Sequence, residues 1–170
     1  MQENSMRQIR IEKVVLNVGC AGDLQKIDRA KKLLEYLTER KPKITLSKKR
    51  STFGIARGKP IGVKVTLRKK RAEEFLKLAL QAVGNKLKSS QFDQNGNFSI
   101  GIKEYIELSG IKYKHDIGMF GLDVGVSLER PGFRIQRRKI QRKKIPTKHK
   151  INKDEAISWL KENLGVGIID

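Results

Sequence analysis

Five stretches of the chain alternate apolar and polar residues in the two-residue period of a strand with one buried face, and three others repeat apolar residues at helical spacing. From Ile9 to Val18, Val14, Leu16 and Val18 share one face and leave Lys13, Val15 and Asn17 on the other, and the strand ends at Gly19. After Asp23, a residue type that caps helix N-termini, Ile27, Ala30, Leu34 and Leu37 predict a helix over residues 24–40, which Pro42 forbids from continuing. Ile44 and Leu46 alternate with Thr45 and Ser47 in a short second strand. The clearest strand follows a basic loop: Ile61, Val63, Val65 and Leu67 oppose Gly62, Lys64, Thr66 and Arg68. Leu76, Leu80, Val83 and Leu87 predict a second helix over residues 70–87, and two more strands follow at 99–107 and 121–129, the latter with Leu122, Val124, Val126 and Leu128 inward. Asn152, with Glu155 three positions on, reads as a reciprocal helix cap. Asp154 and Glu155 suit the positive end of that helix, whose buried stripe is Ile157, Leu160 and Leu164.

Clean alternation implies a sheet covered on one face only, so the expected class is α+β, with the three helices packed on the apolar side and the polar side open. Asn17, Thr45, Ser47, Lys64, Thr66 and Arg68 would then share the open side, with short hydrogen-bonding groups at its centre and cations beside them. Such a surface lets a bulky RNA backbone approach closely while amides and hydroxyls reach phosphates, 2′-hydroxyls or base edges.

Charge sharpens this picture. Lys and Arg number 38 against 18 Asp and Glu in 170 residues, a formal net charge of +20. An excess of that size repels itself unless a polyanion neutralises it, and nucleic acid is the expected partner ahead of an anionic membrane. The cations concentrate in two places: a loop over residues 47–60 that runs straight into the clearest strand, and a stretch from Arg130 to Lys150 with no Asp or Glu, read as an extended basic arm. No repeat or long linker divides the chain, so residues 1–170 are expected to form one domain. The longest apolar runs span only a few residues, which predicts no membrane span or signal-peptide core and an intracellular, soluble protein. The single cysteine, Cys20, can form no internal disulfide and no Cys-based metal cluster; it is expected to serve as a small turn residue.

No constellation for catalysis emerges. His115 beside Asp116 suggests a base and its orienter, but loop neighbours rarely point together, and Glu104 and Glu107 fall on opposite faces of their predicted strand. His149 lies between two lysines as part of the arm. Gly19-Cys20-Ala21-Gly22 lacks the pattern of a phosphate-binding loop and reads as a tight turn. Phe53, Phe92, Phe98 and Phe133 sit in Gly-rich or polar loops, where each ring would either stack on a base or plug its loop into the core; both readings stay open. Aromatics are missing from the central strands, so shape and backbone recognition of structured RNA is expected rather than base stacking on the sheet.

The segments IEKVVLNVG, KPKITLSKKRSTFGIARGKPIGVKVTLR and FDQNGNFSIGIKEYIEL, in this order and spacing over about residues 7–165, resemble the signatures of the universal 5S rRNA-binding family of the large ribosomal subunit, large-subunit protein five. GIKYKHDIGMFGLDVGVSLERPGF resembles its archaeal and eukaryotic branch. The resemblance implies an antiparallel sheet, a place in the central protuberance, and no cofactor or metal. The 5S rRNA is the first implied partner, met by Asn17 and Thr66 at positions the family uses for hydrogen bonds. Where the family commonly has Gln, just before Lys41-Pro42, this chain has Arg40, which would meet a phosphate instead. With the open face and loop, the candidate rRNA contacts are Asn17, Arg40, Thr45, Ser47, Lys48, Lys49, Lys64, Thr66, Arg68 and Asn97. Peptidyl-site tRNA is the second implied partner, touched by Ser51, Thr52, Phe53, Gly54, Ile55, Ala56, Arg57, Gly58 and Lys59. Others are small-subunit head protein thirteen, in a bridge, and a neighbouring 5S-binding large-subunit protein. Arg134, Arg137, Arg138, Lys139, Arg142, Lys143 and Lys144 of the arm are candidate contacts to large-subunit rRNA. The expected setting is the cytoplasm, bound to the ribosome. Two rivals are a free RNA chaperone or translation factor, which composition alone permits, and a nucleic-acid-modifying enzyme built on His115, Asp116 and Glu104.

Overall fold

In the computed structural model, which describes residues 4–50 and 54–169, the longest strand, β1 (Arg10–Gly19), occupies the centre of the sheet. Its apolar phase, Val14, Leu16 and Val18, is buried to 1% exposure or less, which requires neighbours on both edges. On one edge lies β3 (Pro60–Leu67), paired Leu16 to Val65; on the other lies β6 (Leu122–Glu129), paired Leu16 to Val124. The short strand β2 (Lys43–Leu46) extends the sheet beyond β3, and β5 (Phe98–Ile102) extends it beyond β6. All four pairings are antiparallel, in the order β2-β3-β1-β6-β5.

Helix α1 (Leu24–Thr38) starts where the sequence predicts, with the Asp23 carboxylate accepting from the Gln25 and Lys26 amides at 2.9 and 3.3 Å. It ends sooner than Pro42 alone would require, because Glu39 takes a left-handed φ of +51° and its amide closes the last turn onto the Glu35 carbonyl. Helix α2 (Lys70–Ala82) also stops short of the expected residue 87. Val83 caps it, and Leu87 is buried from a separate strand, β4 (Lys86–Lys88), which pairs in parallel with β7 (Gly167–Ile169). Ile27, Ala30 and Leu34 of α1, Leu76 and Leu80 of α2, and Ala156 and Leu160 of α4 (Lys153–Leu164) join the inward residues of the sheet in one apolar core. Helices α1, α2 and α4 therefore line one side. Cap residue Glu155 accepts from the Asn152 amide at 3.0 Å, as its spacing predicts.

Two further sequence expectations fail locally. The strand predicted over 99–107 ends at Ile102, and Tyr105–Glu107 form a 3-10 turn, because Tyr105 is pulled fully inside, where its hydroxyl oxygen accepts from the Lys114 amide at 3.1 Å. Glu104 and Glu107 thus do not lie on a strand. The basic stretch 130–150 is not extended either: it holds the short helix α3 (Arg134–Arg137), a turn in which the Arg138 Nε donates to the Gln141 carbonyl at 2.9 Å, and a 3-10 turn at Thr147–His149. Its fixed point is Arg130, 6% exposed, which continues the inward phase of β6. One guanidinium nitrogen donates to the Lys150 carbonyl at 3.2 Å and another lies 3.1 Å from Glu155, so Arg130 ties the two ends of the stretch to each other and to α4. Among the described residues, no helix is long and apolar enough to cross a membrane.

Candidate nucleic-acid interface

The face of the sheet away from the helices carries the outward phase of every strand, and strand register sorts it into rows. One row runs Lys43, Lys64, Asn17, Asp123, Gly101; the next runs Thr66, Val15, Gly125, Ser99. Lys64 is exposed, and Asn17 and Thr66 are half-buried between their neighbours, reachable but braced. Thr45 stands opposite Gly62 on the next pair of strands, and Arg68 follows the end of β3 on the same side. Gly62 has to be glycine: a Cβ there would sit 2.5 Å from the Val18 carbonyl oxygen. The face is thus flat and polar at its centre, with side chains short enough for a rigid polymer to approach.

Of the sequence-predicted contacts, Asn17, Thr45, Lys64, Thr66 and Arg68 come together on this face. Ser47 lies at the base of the β2–β3 loop, which is closed by the Ser47 amide on the Lys59 carbonyl (2.8 Å) and the Gly58 amide on the Ser47 carbonyl (2.9 Å). Lys48, Lys49, Arg57 and Lys59 are exposed around that loop, together with Gly54, Ala56 and Gly58, while Ile55 is half-buried; Ser51, Thr52 and Phe53 lie outside the described residues. Arg40 is exposed in the turn before β2, off the sheet. Asn97 lies in the loop before β5, its Oδ1 accepting from the Leu128 amide at 3.3 Å. Within the arm, Arg134, Lys139, Arg142, Lys143 and Lys144 are exposed and Arg138 is half-buried.

Arg137 has another engagement. Its two terminal nitrogens bond Glu12 and Glu129, which anchors α3 to one end of the open face. Glu12 occupies the bulge between Ile11 and Lys13, and its carboxylate, 14% exposed, also meets Lys13 and Arg68 at 3.5 Å each. Sequence reasoning missed Glu12, Glu129 and Arg130 as the anchors of the arm. The same period that turned Leu128 inward also turns Arg130 inward, so that signal was present. It also missed Asp123, an exposed carboxylate in the middle of a cationic face.

The loop phenylalanines resolve toward the core where they are described. Phe92 and Phe98 are 7% and 3% exposed, with ring centroids 5.3 Å apart. Phe133 packs edge-on to His149 at 5.8 Å, and a ring nitrogen of His149 lies 2.9 Å from the Pro131 carbonyl oxygen, so this histidine pins the arm. His115, Asp116 and Glu104 are all exposed, and among the described residues no three His, Cys, Asp or Glu side chains converge as metal ligands. Cys20 is buried in the turn after β1, and burial, reinforced by Asp23, pushes its thiol pKa up and keeps it neutral. At the foot of α4, burial works against the charge of Glu155, but the Asn152 amide and the Arg130 guanidinium outweigh it and hold its pKa below the usual carboxylate range.

A one-sided antiparallel sheet with an uncovered polar front and anchored basic loops has the build of a scaffold. Residues 4–55 match the family model described as ribosomal protein L5, and residues 60–159 match the model of the C-terminus of the same ribosomal family. A protein of Nanoarchaeum equitans named large ribosomal subunit protein uL5 is 48% identical over 98% of this chain and 99% of its own length. Proteins of the same name from Sulfurisphaera tokodaii and Methanobrevibacter smithii are 46% and 40% identical, covering 98% of this chain and 96% and 98% of their own. The chain belongs to the ribosomal protein L5 family.

Proposed function

We propose that this chain, a structural and non-catalytic constituent of the large ribosomal subunit, holds 5S rRNA on the open face of its sheet. The observation that carries the reading is the row Lys43, Lys64, Asn17 with Thr66 beside it, left uncovered by the helices on a chain of formal charge +20. Lys and Arg displace condensed counterions and supply affinity, while Asn17 and Thr66 fix register. The β2–β3 loop, with Arg57 and Lys59 exposed, reaches peptidyl-site tRNA and contributes to a bridge with small-subunit head protein thirteen. A second 5S-binding protein lies alongside, arm cations meet large-subunit rRNA, and the setting is the cytoplasmic ribosome.

Filter binding to a 5S rRNA transcript tests the face. If about six phosphates are neutralised, log affinity falls with log salt at a slope of about −4 to −5. Asn17→Ala and Thr66→Ala each cost about 1–3 kcal/mol, because RNA groups are buried without a partner. Binding indifferent to salt and to both substitutions would remove the assignment. Sedimentation separates a resident protein, which stays with the large subunit at moderate salt, from an exchanging factor.

A further inference from the structure

Where the open face meets the loop before β5, the structure has a depression of about 320 Å3 whose chemistry differs from the rest of the front. Val15 and Gly125 form its floor, Ser99 and Ser127 stand beside them, and Gln91 and Asn97 make the wall. Among the described residues no Lys or Arg lines it, on a chain with 38 of them, and the one ionisable group at its rim is the Asp93 carboxylate. Asp123, one pairing step away beside Gly101, adds a second negative charge nearby. Lys13, paired with Ser127, stands as near but is engaged by Glu12; among the described residues no cation lines the depression to hold a phosphate, so the part of an RNA chain that fits is a neutral one.

The wall is built to donate. The Gln91 Oε1 accepts from the Lys88 amide at 2.9 Å and the Asn97 Oδ1 accepts from the Leu128 amide at 3.3 Å. With both side-chain oxygens held by backbone, each amide keeps its NH2 group for an outside acceptor. The loop behind them is held on two sides: the Asp93 amide closes on the Asn97 carbonyl at 2.7 Å, and a Cβ on Gly96 would lie 2.7 Å from Ile151, just ahead of α4, and 3.1 Å from Ala156 within it. The floor, by contrast, is open for no internal reason. A Cβ on Gly125 would meet nothing nearer than the Val15 carbonyl oxygen at 3.9 Å, and the residue needs no left-handed backbone. Glycine inside a strand weakens it, and commonly marks close approach by a ligand.

We propose that this depression seats a single unstacked nucleobase of the bound RNA, its face against Val15 and the bare Gly125 backbone and a hydrogen-bond-accepting edge toward the Gln91 and Asn97 amides. The volume is at the small end of ligand pockets, about 300–1,000 Å3, which suits one base and no duplex. The two NH2 groups can donate to a carbonyl oxygen of uracil, cytosine or guanine or to a ring nitrogen of adenine, so the seat takes one base without choosing among them. This adds one seated base to a face whose sequence predicts shape and backbone recognition rather than base stacking, and it rests on the proposed 5S rRNA reading.

The test uses the full chain and a 5S rRNA transcript, with two substitutions that keep the fold. Gly125→Val fills the floor; Asn97→Asp retains the oxygen that holds the Leu128 amide but replaces the outward NH2. Thermal melting checks that both fold, with Gly125→Ala as the milder filler. Each is expected to lose about tenfold or more in affinity, and Gly125→Val to leave the salt slope unchanged because no phosphate contact is lost. Abasic substitution along the unpaired nucleotides should find one position whose loss matches that of Gly125→Val and is not additive with it. Wild-type affinity in both variants, a salt slope altered by Gly125→Val, or additivity at every nucleotide overturns the base seat. If Asn17→Ala and Thr66→Ala weaken binding while the depression variants do not, the RNA face stands without the seat. If no variant weakens binding, both readings fall.

Discussion

Arg130→Ala should release the basic stretch from the body of the protein. The side chain is 7% exposed, and its bond to the Lys150 carbonyl joins a charged donor to a backbone acceptor. Such a bond is worth about 1.5–3 kcal/mol. The pair with Glu155, whose carboxylate is 44% exposed, adds at most about 1 kcal/mol after screening. Against these stands the Nε, buried without a partner, whose removal returns part of the loss. The net is a destabilisation of about 2–3 kcal/mol, equivalent to about 5–10 °C in Tm for a chain of this length. Hydrogen exchange followed by mass spectrometry should show amides 131–150 losing protection ahead of the sheet, and Arg130→Lys should recover only part of the loss because an ammonium cannot span both partners. An unchanged Tm with unaltered protection over 131–150 would refute the argument that this arginine holds the arm.

Glu12→Gln removes the carboxylate shared by Lys13, Arg68 and Arg137, so limited trypsin digestion should cut near Arg137 and Arg138 faster than in the wild type while Tm falls by only a few degrees. Because the Glu155 pKa is lowered in the folded state, its contribution is present above the ordinary carboxylate value and is lost as pH falls through the folded pKa; Glu155→Gln should flatten the acid limb of a stability profile below about pH 4.5. Gly62→Ala should cost about 1–3 kcal/mol by forcing the Val18 carbonyl aside, whereas Gly101→Ala, with its nearest neighbour at 3.9 Å, should lie within about 0.5 kcal/mol of wild type in urea titrations. Trimming residues 51–59 should spare 5S rRNA binding and weaken tRNA retention on reconstituted subunits; loss of 5S binding would contradict that division.

The sheet was legible because period-two patterning is a local signal: the phase of Val14, Leu16 and Val18, or of Leu122 to Leu128, needs no distant partner to be read. The open face followed from the same phase, which is why Asn17, Lys64 and Thr66 fall where expected. Asp123 and Gly125 carry that phase equally, but a search for cations passes over a carboxylate and a glycine. The arm misled because a run of charge resembles a solvated tail until its counter-charges are known, and Glu12 lies far from Arg137 in sequence. Strands β4 and β7, three residues each, exist only through their mutual pairing and leave no periodic trace. Tyr105 ended its strand early for a reason that resides in the Lys114 amide, nine residues on.

The central position of β1 has a consequence for synthesis. Val14 pairs with Leu67 on one side and Val126 on the other, so the first strand translated waits for one of the last before both its edges are satisfied. A nascent chain that has emerged only as far as β5 carries an unzipped, greasy ribbon beside a dense load of positive charge, a state prone to clump with nucleic acid or with its siblings. Asn17, Lys43, Lys64 and Thr66 lie on strands made before β6, so the cationic half of the front can emerge while the other edge of β1 is still bare, and closure by β6 is the step that ends this exposure.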